Sequence, residues 1–175
     1  MELVGKKVAL LVANDYEDPE FSYPYYRMRE AGAEVVVVGT VESDTVVASK
    51  HGYPAEIDLR ADEALIGAEE FDGLIVPGGW APDSLRRCEK TLKLVRAVFE
   101  GKKTVAAICH GPQVLISADV VRGKRMTSAP AIKDDMRNAG AVWVDAEVVV
   151  DERVISSRSP PDLPAFCREI IRAMR

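Results

Sequence analysis

The sequence predicts a doubly wound α/β fold, in which a mostly parallel central sheet carries helices on both faces and the whole makes a three-layer α/β/α sandwich. Three observations carry this expectation. Short apolar runs rich in β-branched residues, such as Val8–Ala13, Glu34–Val38 and Thr104–Ile108, read as strands covered on both faces. Helical patterns lie between them and make right-handed parallel connections. The 175 residues are 47% hydrophobic and 29% charged, which suits one domain over residues 1–175 with a sizeable core. No repeat, low-complexity segment or linker divides the chain.

Lys6–Ala13 is the first strand. It runs into Asn14-Asp15-Tyr16-Glu17-Asp18-Pro19-Glu20, a polar cluster at a strand's carboxyl end, where open α/β sheets place ligand sites. A helix to about Ala31 follows, stopped by Gly32, and Pro24 inside it is expected to kink or divide it. Glu34–Val38 is the second strand. Thr45–Ala48 and Tyr53–Ile57 read as a hairpin around Lys50-His51-Gly52, where a turn histidine such as His51 is more often structural than catalytic.

Phe71–Val76 is the next strand, and Pro77–Asp83 is the loop at its carboxyl end. Leu92–Glu100 is a helix with Leu92, Val95, Val98 and Phe99 on one face, stopped by Gly101. Cys88 near its start reads as incidental. After the strand Thr104–Ile108, Pro112 opens a helix, where its missing N–H costs nothing, and Ser117–Arg122 caps and turns. Arg125–Ser128 is a short strand and Ile132–Ala139 a helix ended by Gly140. Val142–Val144, Glu147–Val150 and Val154–Ser156 are strands, with Asp151-Glu152 turning between the last two. Leu163–Met174 closes the chain as an amphipathic helix in which Cys167 is a core or boundary residue.

The composition excludes several functions. A net charge of −5 provides no electrostatic footprint for nucleic acid. Three widely spaced cysteines form neither a disulfide framework nor a zinc signature. With no metal-ligand constellation and no phosphate loop, no metal and no cofactor are expected. The opening residues run directly into a strand and no apolar run is long enough to span a bilayer, so a cytoplasmic location is expected.

The chemistry centres on Cys109. A strand that stops at a cysteine and restarts within two residues as a helix has the logic of a nucleophile elbow. The start of a helix favours the thiolate and is expected to lower the cysteine's pKa. Gly111 removes the side chain that would hold helix and strand apart. His110 is adjacent, but successive residues at an elbow usually point apart, so its imidazole need not touch the sulfur. Gly78-Gly79 lets backbone amides approach a ligand closely, as an oxyanion hole requires. Glu17 or Glu20 can reach the site from the neighbouring strand end, and a carboxyl desolvated there would stay protonated and donate to the sulfur.

Several stretches resemble the ThiJ/PfpI superfamily, in particular its PfpI branch of intracellular proteases. They are Ala13-Asn14-Asp15-Tyr16-Glu17-Asp18, Val76-Pro77-Gly78-Gly79-Trp80-Ala81-Pro82-Asp83, Ala107-Ile108-Cys109-His110-Gly111-Pro112-Gln113 and Ser156-Ser157-Arg158, with Lys50-His51-Gly52-Tyr53 and Ile132-Lys133-Asp134-Asp135-Met136 beside them. The resemblance implies a flavodoxin-like fold of the kind shared with class I glutamine amidotransferases, and a nucleophilic Cys109. It implies Glu17 as the carboxyl on the sulfur and the amides of Gly79 and His110 as the oxyanion hole. It implies peptidase or deglycase activity on peptides, glycated proteins or small carbonyl compounds. It also implies a homo-oligomer, from dimer to hexamer, in which an acid from a neighbouring subunit orients His110. Asp83 holds that acid's position, where the family commonly has the longer glutamate.

A rival reading is a non-catalytic stress protein, a chaperone or a redox sensor that uses an oxidisable Cys109. A glutamine amidotransferase shares the elbow but needs a histidine late in the chain, and none follows His110.

Overall fold

A seven-stranded sheet runs through the middle of the protein, and the computed structural model describes all 175 residues of the chain. The elements in order are β1 (Lys7–Leu11), α1 (Asp18–Glu30), β2 (Glu34–Gly39), β3 (Val46–Ala48), β4 (Pro54–Glu56), β5 (Leu59–Arg60), α2 (Ala61–Ile66), β6 (Gly73–Val76), α3 (Ala81–Arg87) and α4 (Glu89–Glu100). They continue with β7 (Thr104–Ile108), α5 (Pro112–Ser117), β8 (Arg125–Met126), α6 (Lys133–Asn138), β9 (Val142–Trp143), β10 (Val148–Asp151), β11 (Val154–Ser157) and α7 (Leu163–Met174).

The sheet order is β10-β11-β7-β6-β1-β2-β5, parallel throughout except for the antiparallel edge pair β10–β11. β7 is buried at every position, and four of the five β1 residues are. This is what a strand with helices on both faces requires. α1 and α7 pack together on one face; α2 and α4 pack together on the other, with α5 against α4. No helix is long and apolar enough to cross a membrane.

The strand order reverses between β1 and β6. β1 connects outward to β2, whereas β6 lies on its other side and leads on to β7. Such a switch point opens a crevice at the carboxyl ends of the strands, because the two flanking connections leave in opposite directions. The loops after β1, β6 and β7 all meet there. Main-chain hydrogen bonds tie them to the β3–β4 hairpin. Asp15 N–H donates to the Ala48 carbonyl (2.8 Å), Lys50 N–H to the Tyr16 carbonyl (3.0 Å) and Trp80 N–H to the Asp15 carbonyl (2.8 Å).

Two local expectations differ from the structure, and two short elements carry no sequence signal. Pro24 does not divide α1, which runs unbroken for 13 residues with Pro24 on its buried face. The Pro77–Asp83 stretch is a loop only to Trp80, because Pro82 lies in the first turn of α3 and Asp83 is that turn's acidic residue. β5 and α2, of two and six residues, are too short to impose a legible period.

Candidate active site

The elbow is built as its sequence implies. Cys109 has φ +61°, in the left-handed region that a side chain rarely adopts. The conformation is held from both sides: Cys109 N–H donates to the Ser157 carbonyl (3.1 Å) and Ala129 N–H donates to the Cys109 carbonyl (2.9 Å). Strain of this kind persists only where the surroundings over-determine it. Gly111 has an ordinary helical φ of −51°. Its need for glycine is steric, because a Cβ there would lie 2.3 Å from the Val76 carbonyl oxygen.

The carboxyl beside the sulfur belongs to Glu20 and not to Glu17. Glu17 precedes α1, and its Oε2 accepts from Lys50 Nζ at 2.9 Å. Glu20 lies one turn on and is fully buried, with its Oε2 accepting the Gly78 N–H at 2.8 Å. Its other oxygen has no hydrogen-bond partner. A Cβ on Gly78 would sit 2.5 Å from Glu20 Oε2 and 2.8 Å from Cys109 Cβ, so only glycine leaves room for carboxyl and elbow to meet.

Burial pushes the Glu20 carboxyl up to about 7, against the lowering effect of the Gly78 N–H. Burial and then the Glu20 charge push the Cys109 thiol up to about 12, against hydrogen bonds from the His110 and Gly79 amides. The expected lowering at a helix start is therefore not found. α5 has only six residues and brings a short dipole, and the neighbouring carboxylate competes for the same proton. The two groups titrate as a coupled pair that loses its first proton near pH 7; the Gly78 amide favours the charge on the Glu20 oxygen, and the His110 and Gly79 amides favour it on the sulfur.

His110 does touch the nucleophile, contrary to expectation, with Nδ1 3.3 Å from Cys109 Sγ. Burial and the nearby Lys50 charge hold the imidazole below its ordinary pKa, so it is neutral near pH 7; Asp83 pulls the other way. Asp83 itself is exposed and makes no hydrogen bond to His110 within the chain. The Gly79 and His110 amides donate to no main-chain carbonyl and face the sulfur, as the oxyanion-hole reading needs. Gly79 has φ +76°, and a Cβ there would lie 2.4 Å from Glu17 N.

Two further residues complete the mouth. Trp80 is exposed, with its ring centroid 5.9 Å from that of His110, and Lys50 Nζ lies 5.8 Å above the Trp80 ring. His51 points elsewhere and pairs with Asp18 at 2.9 Å. No three His, Cys, Asp or Glu side chains converge in a way that would hold a metal ion.

A family model described as DJ-1/PfpI family matches residues 6–173. Deglycase PH1704 of Pyrococcus horikoshii is 50% identical over 169 residues, covering 97% of this chain and 99% of its own. Protein/nucleic acid deglycase 2 of Escherichia coli is 43% identical over 172 residues, covering 98% of this chain and 99% of its own. A solved two-domain protein of Anabaena variabilis, with DJ-1/ThiJ/PfpI-like and ferritin-like domains, superposes with a TM-score of 0.91 at 44% identity; the match covers 95% of this chain and 47% of that one.

The buried Glu20 has a measurable consequence. In the unfolded chain its carboxyl ionises near the ordinary 4.5, but in the folded protein near 7. Between these values the unfolded state gives up a proton that the folded state keeps, so stability falls as pH rises through the window and levels off above it. The difference amounts to about 3 kcal/mol. Glu20→Gln should therefore raise stability by about 2–3 kcal/mol near pH 8 and change it little near pH 4, read from urea melts. An equal change at both pH values would mean that burial does not hold this carboxyl neutral.

Proposed function

The chain belongs to the DJ-1/PfpI family, and we propose that within it the protein is a cysteine-dependent hydrolase, a deglycase or peptidase whose nucleophile is Cys109. The observation that carries this reading is the convergence of four groups on one sulfur. They are the Glu20 carboxyl, the His110 imidazole and the amides of Gly79 and His110. A substrate carbonyl carbon is attacked by the sulfur in its anionic form, with Glu20 holding the proton. The developing oxyanion lies on the Gly79 and His110 amides, which are directed there before reaction and need no reorganisation. His110, neutral and in contact with the sulfur, takes a proton from solvent and gives it to the leaving group; the water that then attacks the sulfur-bound carbon returns a proton to His110, and the product departs as the thiolate is regenerated.

The substrate class is a carbonyl adduct on an amine or thiol, or a peptide. The two relatives named as deglycases favour the adduct. The acidic charge argues against a groove that tracks a phosphate backbone, but it places no bar on an adduct carried by a base. We assign the protein to the cytoplasm, since its three unpaired cysteines suit a reducing compartment.

Turnover of a glyoxal-type substrate and of a peptide should both vanish in Cys109→Ala. Glu20→Gln should lower kcat by roughly a hundredfold, whereas Glu17→Gln should change it by no more than about threefold. Retained turnover in pure Cys109→Ala, or a larger loss from Glu17 than from Glu20, would contradict the assignment.

We further propose that Asp83 orients His110 from a second copy of the chain. The His110 ring engages the sulfur through Nδ1, while its other nitrogen makes no hydrogen bond within the chain. Asp83→Ala should then reduce kcat roughly tenfold with the assembly state unchanged by light scattering, and Asp83→Glu should retain the rate. An unchanged rate in Asp83→Ala would confine the chemistry to one subunit.

A further inference from the structure

Trp80 stands at the mouth of the candidate site with 62% of its surface exposed. One exposed apolar side chain is ordinary on a protein surface, but the neighbours of this one are not. The residue before it is Gly79, whose amide faces the sulfur. Its ring centroid lies 5.9 Å from that of His110, the two planes tilted by 51°. The other tryptophan, Trp143, is half-buried and its indole N–H donates to Ser128 Oγ at 3.0 Å. Trp143 is thus a packing residue, whereas Trp80 leaves its indole uncovered beside the reacting groups.

The ring is presented by a fixed backbone. Trp80 N–H donates to the Asp15 carbonyl (2.8 Å), and the Trp80 carbonyl accepts the Asp83 N–H (3.0 Å). Gly79 is bridged to Tyr16 on the same side. A tryptophan has only two side-chain torsions, so a held backbone supplies a large contact area at low entropic cost.

We propose that Trp80 is a specificity-determining residue, whose indole packs against the leaving part of the substrate and favours a neutral carrier with a flat aromatic group next to the scissile bond. This rests on the mechanism proposed above. There His110 gives a proton to the leaving group, which must therefore come within hydrogen-bond reach of the imidazole. With the substrate oxygen on the Gly79 amide and the leaving atom at His110, the group attached to that atom meets the ring that lies against His110 and follows Gly79 in the chain.

The chemical class of the carrier follows from Lys50. Its Nζ lies 5.8 Å from the centroid of the Trp80 ring and is paired with Glu17 Oε2 at 2.9 Å. A cationic carrier would have to displace that ammonium from the ring or lie beside a like charge. A neutral aromatic group meets no such opposition and stacks edge or face on the indole.

Three thioesters that differ only in the leaving thiol test the proposal: S-benzyl thioacetate, S-propyl thioacetate and acetylthiocholine. In each, the Cys109 sulfur takes the acetyl group and the carrier leaves as a thiol with a proton. Acetylation of Cys109 is followed by peptide mass spectrometry, and each rate is divided by that of the same thioester with free N-acetylcysteine to remove intrinsic reactivity. The corrected benzyl-to-propyl ratio should be roughly ten in the unaltered protein, fall close to one in Trp80→Ala and be largely kept in Trp80→Phe. Acetylthiocholine should show no preference over the propyl compound.

A ratio near one in the unaltered protein, the same ratio in Trp80→Ala, or a preference for acetylthiocholine that Trp80→Ala abolishes would each overturn the proposal. So would dissociation of Trp80→Ala by light scattering, since the ring would then be covered by a second copy of the chain. The hydrolase reading fails separately: Cys109 that is acetylated but never freed by water contradicts it, while the ratio is read from the acetylation step alone. No acetylation of Cys109 by any of the three compounds would overturn both.

Discussion

The hydrogen bond from the Gly78 N–H to the buried Glu20 carboxyl, 2.8 Å long, is the contact on which the arrangement of the candidate site rests. It joins the first turn of α1 to the loop after β6, directly beneath Cys109. Its partner oxygen is unpaired and no cation forms an ion pair with it; the Lys50 charge acts on it only through space, because Lys50 is held by Glu17. A carboxylate in that position would be strongly disfavoured, so the group keeps its proton until near neutrality. The same absence of a counter-charge makes Glu20 useful to the sulfur. A salt-bridged acid would surrender its proton far below neutral pH and would then only repel a thiolate.

The surrounding loops are tied together to keep this geometry. Residues 14–17 lie between the β3–β4 hairpin and the Gly78-Gly79 loop and form short bridges to both, with Tyr16 paired to Ser49 on one side and to Gly79 on the other. Tyr16 is fully buried, and its hydroxyl donates to the Tyr53 carbonyl at 2.8 Å. The hairpin thus delivers Lys50 to the mouth of the pocket and the glycine loop delivers an amide and Trp80. The strained Cys109 backbone faces them from β7. Polar loops of modest length can hold reacting groups because each is fixed at several main-chain points.

Much of this was legible from residue order. β7 and α7 have the bounds their patterns imply, because an all-apolar β-branched run and a long amphipathic stripe each have one reading. The elbow was legible for the same reason, with Pro112 marking the helix start and Gly111 the close approach. α3 was hidden because Pro77, Gly78, Gly79 and Pro82 give a loop signal that outweighs seven helical residues. The choice between Glu17 and Glu20 turned on which carboxyl lies on the buried side of α1. A signal for it existed, since Glu20, Pro24 and Met28 recur every fourth residue on the face that packs against the sheet. A glutamate on such a stripe is a candidate for a neutral acid. Lys50 and Trp80 carried no periodic signal at all, because only the meeting of two distant loops puts them side by side.

The central claim is that Glu20 and Cys109 share one proton and that the carboxyl holds it when the sulfur reacts. The pH dependence of Cys109 alkylation by iodoacetamide tests this directly, with the modified peptide quantified by mass spectrometry so that Cys88 and Cys167 are counted apart. The rate should rise through a step near pH 7 in the unaltered protein, where the pair loses its first proton. In Glu20→Gln that step should be gone and the rise displaced to more alkaline pH. Superimposable profiles for the two proteins would show that the sulfur ionises without the carboxyl, and would contradict the account.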